Sequence, residues 1–166
     1  MAVYRAGQIV VAQVLGLIER GDLGFTNTGQ RLFGRIKLPG FPTEQFCNDL
    51  IAFLMAGRAA EEIMMEKPSV FGASPDTSDL AIATSVAQQL EIKSGLGEIG
   101  LVDLDRLNLR EGLPPSVIGS VRRRIESAMA RASGLLLDNE VEMVRIVDGI
   151  VGPRSSFTMS AGRSIH

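Results

Sequence analysis

The chain has 166 residues, of which 45% are hydrophobic and 22% are charged, a composition typical of a globular protein with one main core. Its formal net charge of -2 gives no electrostatic reason to expect a nucleic acid or an anionic membrane surface as partner. The one cysteine, Cys47, excludes an intramolecular disulfide and a multi-cysteine metal site, and the one histidine is the last residue, His166.

The first predicted helix begins at the N-terminus with residues 4–8, which read YRAGQ. Tyr4 and Gln8 are four apart and therefore share one face of this helix. A stretch rich in glycine and threonine at residues 25–30 predicts a turn or hairpin. Residues 32–38 alternate partly between apolar and polar side chains, which predicts a strand. A small sheet is therefore expected beside the first helix.

Thr43 is the predicted N-cap of a long second helix with apolar residues at helical spacing. Gly57 lies inside this helix, and because an internal glycine costs about 1 kcal/mol relative to alanine, it predicts close packing of another element. The adjacent Glu61 and Glu62 lie either on a solvated face or against an arginine. Arg58 is a possible partner for either of them.

Three further helices complete a mainly α prediction. One runs from about residue 78 to residue 93, with Asp79 in its first turn. The next begins at Pro114 and Pro115 and carries apolar residues at intervals of three and four from Ile118 onward, which is typical of a bundle seam. Residues 122–124 are three consecutive arginines of this helix, and we interpret them as a solvated face rather than as a binding patch.

A last helix follows residues 138–139 and ends at the Gly-Pro pair of residues 152–153. The Ser-rich residues beyond it show little periodicity, and we expect them to be disordered. The predicted organisation is one domain over residues 1–152 and a flexible tail over residues 153–166.

Four pieces of the chain resemble, in the same order, the peptidase domain of the FtsH family of AAA+ zinc proteases. Residues 4–12 resemble the His-Glu-Ala-Gly-His helix of that family with only its Ala-Gly retained. The other three are MAGRAAEEI at residues 55–63, GAS followed by SDLAIAT up to residue 84, and SGLGEIG at residues 94–100. The second piece is the most specific. The resemblance implies a zincin-like helical peptidase domain with a small β-sheet near the first helix and a C-terminal helical bundle.

The resemblance also assigns a place to each residue of the degenerate motif. Tyr4 and Gln8 occupy the places of the two zinc-binding histidines, and Arg5 occupies that of the general-base glutamate. Asp79 matches the third, carboxylate ligand and is the one residue chemically suited to its place. Catalytic zinc ordinarily needs three protein ligands and a water, and an arginine cannot deprotonate that water. We therefore assign no catalytic or metal-binding residue, and we predict an Arg5–Asp79 ion pair in which the guanidinium replaces the positive charge of zinc.

Neither zinc nor another cofactor is expected on this chain. No G-x-x-x-x-G-K-[ST] motif occurs, so the ATP-binding AAA+ part and any membrane anchor are expected in a longer protein from which this domain comes. The family forms hexamers, which implies a homo-oligomer whose partners are protein substrates or an AAA+ domain, with no nucleic acid and no membrane contact of its own. A cytoplasmic location is expected.

Three functional hypotheses remain open at this point. The first is a proteolytically inactive FtsH-like domain that serves as a structural or assembly part of an AAA+ ring. The second is an active zinc peptidase with unorthodox or borrowed ligands. The third is a helical interaction module whose likeness to the protease is accidental.

Overall fold

The fold is mainly α, as predicted. A computed structural model describes residues 1–18, 32–65, 68–69, 78–98, 100–107 and 112–152. Within these ranges the α-helices, with their bounds, are α1 (Ala2–Val14), α2 (Glu44–Met65), α3 (Asp79–Ile92), α4 (Pro115–Asp138) and α5 (Glu140–Val151).

Helix α2 lies at the centre of the fold. It packs against α1, α3 and α4, while α1 also contacts α5. Every residue from 50 to 57 of α2 is buried, as expected for a helix that is covered on several sides. Helices α1, α3 and α4 therefore take their positions from α2, whereas α5 packs against α1 and α4.

Side-chain caps begin two of the helices where the sequence predicts them. The hydroxyl of Thr43 accepts a hydrogen bond from the amide of Phe46 at 3.2 Å, which confirms the predicted cap of α2. The hydroxyl of Ser78 accepts one from the amide of Ala81 at 3.2 Å and so caps α3. Because Ser78 is the N-cap, Asp79 is the first residue of α3, at the positive end of its dipole.

The predicted small sheet is wrong for the residues that the structure describes. Leu32–Arg35 form a 3-10 helix, and the segment that follows is irregular up to the start of α2. Ile36 packs into the core, but Leu38, which would share its face in a strand, is exposed, so no face of the segment is buried as a strand requires. A lone strand also has no partner for its backbone hydrogen bonds. The predicted hairpin at residues 25–30 lies outside the described residues.

The last helix ends where the sequence predicts it, directly before Gly152. Helix α5 ends at Val151, and Gly152 follows with a φ of 79°, a left-handed conformation that glycine adopts without strain. The predicted tail at residues 153–166 lies outside the described residues. Of the helices described, none combines the length and the apolar content needed to cross a lipid bilayer.

Candidate functional site

The candidate site begins on the face of α1 that carries Tyr4 and Gln8. Both side chains are buried, and Tyr4 is only 2% exposed. Burial of a phenol and an amide requires hydrogen-bonding partners, because an unpaired buried polar group costs about 1–3 kcal/mol. The geometry around α1 supplies both the space and the partners.

The space comes from two glycines at the crossing of α1 and α2. A Cβ atom at Gly7 would lie 2.5 Å from the carbonyl oxygen of Ala56 and 2.5 Å from the Cβ of Ala60. One at Gly57 would lie 2.5 Å from Cζ of Tyr4. The two helices therefore touch backbone to backbone, and the ring of Tyr4 lies on the bare surface at Gly57. The close packing predicted for Gly57 is confirmed.

The partner of both side chains is the carboxylate of Asp79. Its Oδ2 atom accepts a hydrogen bond from the Tyr4 hydroxyl and a second from Nε2 of Gln8, the latter at 2.8 Å. Tyr4 and Asp79 are 75 positions apart in the chain, so this contact ties α1 directly to the start of α3. The three positions that the sequence analysis aligned with zinc ligands thus form one hydrogen-bonded cluster, which we call the Tyr4–Gln8–Asp79 cluster.

The predicted ion pair between Arg5 and Asp79 is absent from the contacts of the described residues. Helix geometry gives the reason. Successive residues of an α-helix point about 100° apart, whereas residues four apart share a face. Tyr4 and Gln8 face Asp79 together, so Arg5 points away from it. Two neutral donors, and not a guanidinium, surround the carboxylate.

The donor set of this cluster does not fit zinc. A zinc ligand offers a lone pair to the metal, but here the phenol and the amide nitrogen each direct a hydrogen toward the same carboxylate oxygen. Only Asp79 would offer a charged oxygen. Across the described ranges, no group of three or more His, Cys, Asp or Glu side chains is placed to hold a metal ion. The arrangement suits a contact that holds two helices together.

Tyr4→Phe tests this contact, because it removes the hydroxyl and keeps the ring against Gly57. We expect the free energy of unfolding to fall by about 1.5 kcal/mol, the lower end for a hydrogen bond to a charged group. Urea denaturation measures it. In an Asp79→Ala background the same change should cost nothing, since the hydroxyl has already lost its acceptor. An equal loss in both backgrounds would show that the hydroxyl does not act through Asp79.

The adjacent Glu61 and Glu62 of α2 have different roles. Arg58 pairs with Glu62 at 3.0 Å, and both side chains are exposed. Glu61 is buried, and its Oε2 accepts hydrogen bonds from the amide and the hydroxyl of Ser69 at 2.8 and 2.7 Å. Of the two candidate partners of Arg58, the structure therefore shows Glu62. Glu61 instead holds the chain just beyond the end of α2 through Ser69.

Sequence reasoning missed a charged network at the other end of the core. Arg124 is only 16% exposed, and its Nε and one terminal nitrogen bind Oε1 of Glu91 at 3.0 and 2.8 Å. Its other terminal nitrogen binds Glu44 at 3.0 Å and Asn48 at 2.9 Å. Arg124 therefore joins α4 to both α2 and α3.

The interpretation of the arginine run as a solvated face holds for only part of it. Arg122 is exposed and pairs along its own helix with Glu126. Arg124, by contrast, lies seven residues after the buried Val117 and four before the buried Ala128. That spacing is a helical seam, and it is the signal that identifies Arg124 as an interior residue.

No protein-family model matches the chain.

Proposed function

We propose that this chain is a proteolytically inactive, FtsH-like peptidase domain that serves as a structural or assembly part of an AAA+ ring. The observation that supports it best is the Tyr4–Gln8–Asp79 cluster. In the resemblance these three positions correspond to the zinc ligands of a peptidase. If the resemblance were accidental, there would be no reason for the three side chains to be in contact. Asp79 lies on α3, whereas Tyr4 and Gln8 lie on α1, so the meeting of Asp79 with the other two depends on the fold and not on proximity in sequence.

Two features of the packing support the same proposal. The Ala-Gly pair retained between Tyr4 and Gln8 includes Gly7, which α2 approaches within contact distance. Gly57 belongs to the most specific piece of the resemblance, and it supports the ring of Tyr4. The retained residues are thus the ones that hold the first helix, while the replaced residues are the ones that would perform the chemistry. Under this proposal the fold is zincin-like in its helices, the domain lies in the cytoplasm, and the ATPase belongs to another part of the same protein or to a partner.

Restoring the two histidines tests the proposal. In Tyr4→His/Gln8→His, two imidazoles four residues apart would face Asp79. An imidazole is shorter than a phenol, which leaves room for a metal with bonds of about 2.0 Å on either side. We expect near-stoichiometric zinc by elemental analysis of tag-free protein, against none in the wild type.

Two controls make this result specific. Asp79→Asn added to the double variant should abolish the tight zinc. Arg122→His/Glu126→His places the same two residue types at the same spacing on an exposed face of α4, where it should bind zinc much more weakly. Near-stoichiometric zinc in the wild type would contradict the proposal that the domain is inactive. If the double variant bound zinc equally well with and without the Asp79→Asn change, an unrelated helical module would be favoured. A wild-type chain that stays at its monomer mass of 17.8 kDa at all concentrations would remove self-assembly from the proposal.

A further inference from the structure

A second polar site lies far from the Tyr4–Gln8–Asp79 cluster along the chain, in a cleft of about 350 Å³. The cleft lies between the first turns of α2, the end of α3 and one face of α4. Its volume is at the lower end of the range of small-molecule sites, about 300–1,000 Å³. The side chains at its two ends differ in what they offer to a ligand.

At the end near α3 the charges are already matched. Glu98 accepts from Nε of Arg123 at 3.1 Å and from a terminal nitrogen of Arg123 at 2.5 Å, and the Ser120 hydroxyl donates to it at 2.8 Å. These hydrogen bonds, Arg123 first, lower the pKa of the Glu98 carboxyl, so it is ionised at neutral pH. Glu91 gives one oxygen to Arg124 and the other to the amide of Glu98 at 3.0 Å. At this end each carboxylate already has an arginine partner.

The opposite end has an excess of donors. Arg131 is 40% exposed, and of its five N–H groups it commits one nitrogen to Asp49 at 2.5 Å. Ser127 is exposed, and its hydroxyl forms no hydrogen bond within the part of the chain that the structure describes. The side-chain oxygen of Asn48 accepts a hydrogen bond from Arg124, so its amide nitrogen can still donate to a ligand. A ligand that is rich in acceptor oxygens and negatively charged would satisfy these groups.

We propose that this end of the cleft binds a small oxyanion of the phosphate class. Ser127 and Arg131 are four residues apart on α4 and so present a hydroxyl and a guanidinium on one face. Arginine binds phosphate oxygens in pairs through its planar N–H groups. Asn48 lines the same cleft from α2, and its amide nitrogen is a further donor there. Inorganic phosphate and the phosphate group of a small organic molecule share this chemistry.

The nearest opposing charge is Asp49, which is mostly buried and also accepts from Nε2 of Gln45 at 2.9 Å. An anion at Arg131 has to share the guanidinium with Asp49. The site therefore binds reversibly, and its strength depends on the charge at position 49. The proposal does not depend on the proposed function, because none of these side chains takes part in the Tyr4–Gln8–Asp79 cluster.

Titration of the wild-type chain with inorganic phosphate, followed by the linewidth of the phosphorus NMR signal at constant ionic strength, tests the site. We expect saturable binding. Arg131→Gln should weaken it by about tenfold or more, as expected when a hydrogen bond to a charged group is lost. Arg122→Gln makes the same change of charge on the same helix outside the cleft and should leave binding unchanged. Glycerol phosphate, titrated in the same way, distinguishes an organic phosphate from the free ion.

Two milder variants keep the proposal falsifiable should Arg131→Gln disturb folding. Asp49→Asn removes the competing charge and keeps the acceptor for Gln45, so it should tighten binding several-fold. Ser127→Ala should weaken it several-fold. The absence of saturable binding, an equal loss in Arg122→Gln, or equal binding of chloride would overturn the proposal, because each would indicate general attraction to surface charge.

Discussion

Gly7→Val is expected to lower the free energy of unfolding by about 3 kcal/mol, the upper part of the range for overpacking a tight core. The added side chain would overlap the carbonyl oxygen of Ala56 and the Cβ of Ala60, and both are fixed in α2. Neither atom can move aside as the end of a long side chain can, so α1 has to shift away. Urea denaturation followed by circular dichroism measures the loss.

Gly134→Val is the matched control, because Gly134 lies inside α4 and a Cβ there would meet nothing within 4 Å. Valine and glycine differ by only a few tenths of a kcal/mol in helix propensity, roughly 0.3–0.5, so this change should be nearly neutral. Similar losses at Gly7 and Gly134 would contradict the close crossing of α1 and α2. A displaced α1 would also weaken the contact with Asp79, so Gly7→Val should reduce the effect of Tyr4→Phe made in addition.

Arg124→Met is expected to destabilise the fold by about 3 kcal/mol, because removing one member of a buried ion pair leaves the other without a counter-charge. Glu91 is only 3% exposed, and Arg124 is its guanidinium partner. Methionine keeps the apolar stem, so the loss reports mainly on the charge. The free energy of unfolding in urea at neutral pH checks it.

A second substitution separates the charge effect from a packing effect. Glu91→Gln in the Arg124→Met background removes the unpaired charge and keeps an oxygen for the amide of Glu98, so it should recover part of the loss. Arg122→Met removes an exposed arginine whose ion pair with Glu126 is screened by solvent, so it should cost far less. If Arg124→Met cost no more than Arg122→Met, the network would not be holding the three helices together.

The helix ends could be predicted from sequence because each depends on a few neighbouring residues. Thr43 begins α2 with a side-chain hydrogen bond, and Gly152 follows α5 with a positive φ of 79°, which favours glycine. The juxtaposition of Tyr4 and Gln8 follows from spacing alone. Their meeting with Asp79 depends on the tertiary packing of α1, α2 and α3, and only the resemblance pointed to it.

Two errors have physical causes that single residues reveal. The strand predicted around Ile36 rested on partial alternation, but a strand also needs a partner, and the described residues provide none. The Arg5–Asp79 ion pair rested on charge alone and ignored direction, since a residue next to Tyr4 in a helix cannot share its face.

In α4 the apolar pattern gave the wrong phase at one position. Ile118 was expected in the seam, yet it is 57% exposed, while the neighbouring Val117 is buried. The buried stripe of α4 also includes Arg124, which the apolar pattern did not include because arginine is charged. A hydrophobicity pattern cannot identify an arginine that is buried because acidic partners on other helices surround it.

The Tyr4–Gln8–Asp79 cluster bears on how the protein folds. All three of its members are parts of the chain itself, so the cluster is complete as soon as α1 and α3 reach α2. A site that depends on a bound ion exists in empty and loaded forms, and the share of each follows the supply of the ion. The hydrogen-bonded contact between these helices forms from side chains of the chain alone, so its formation requires only the packing of α1 and α3.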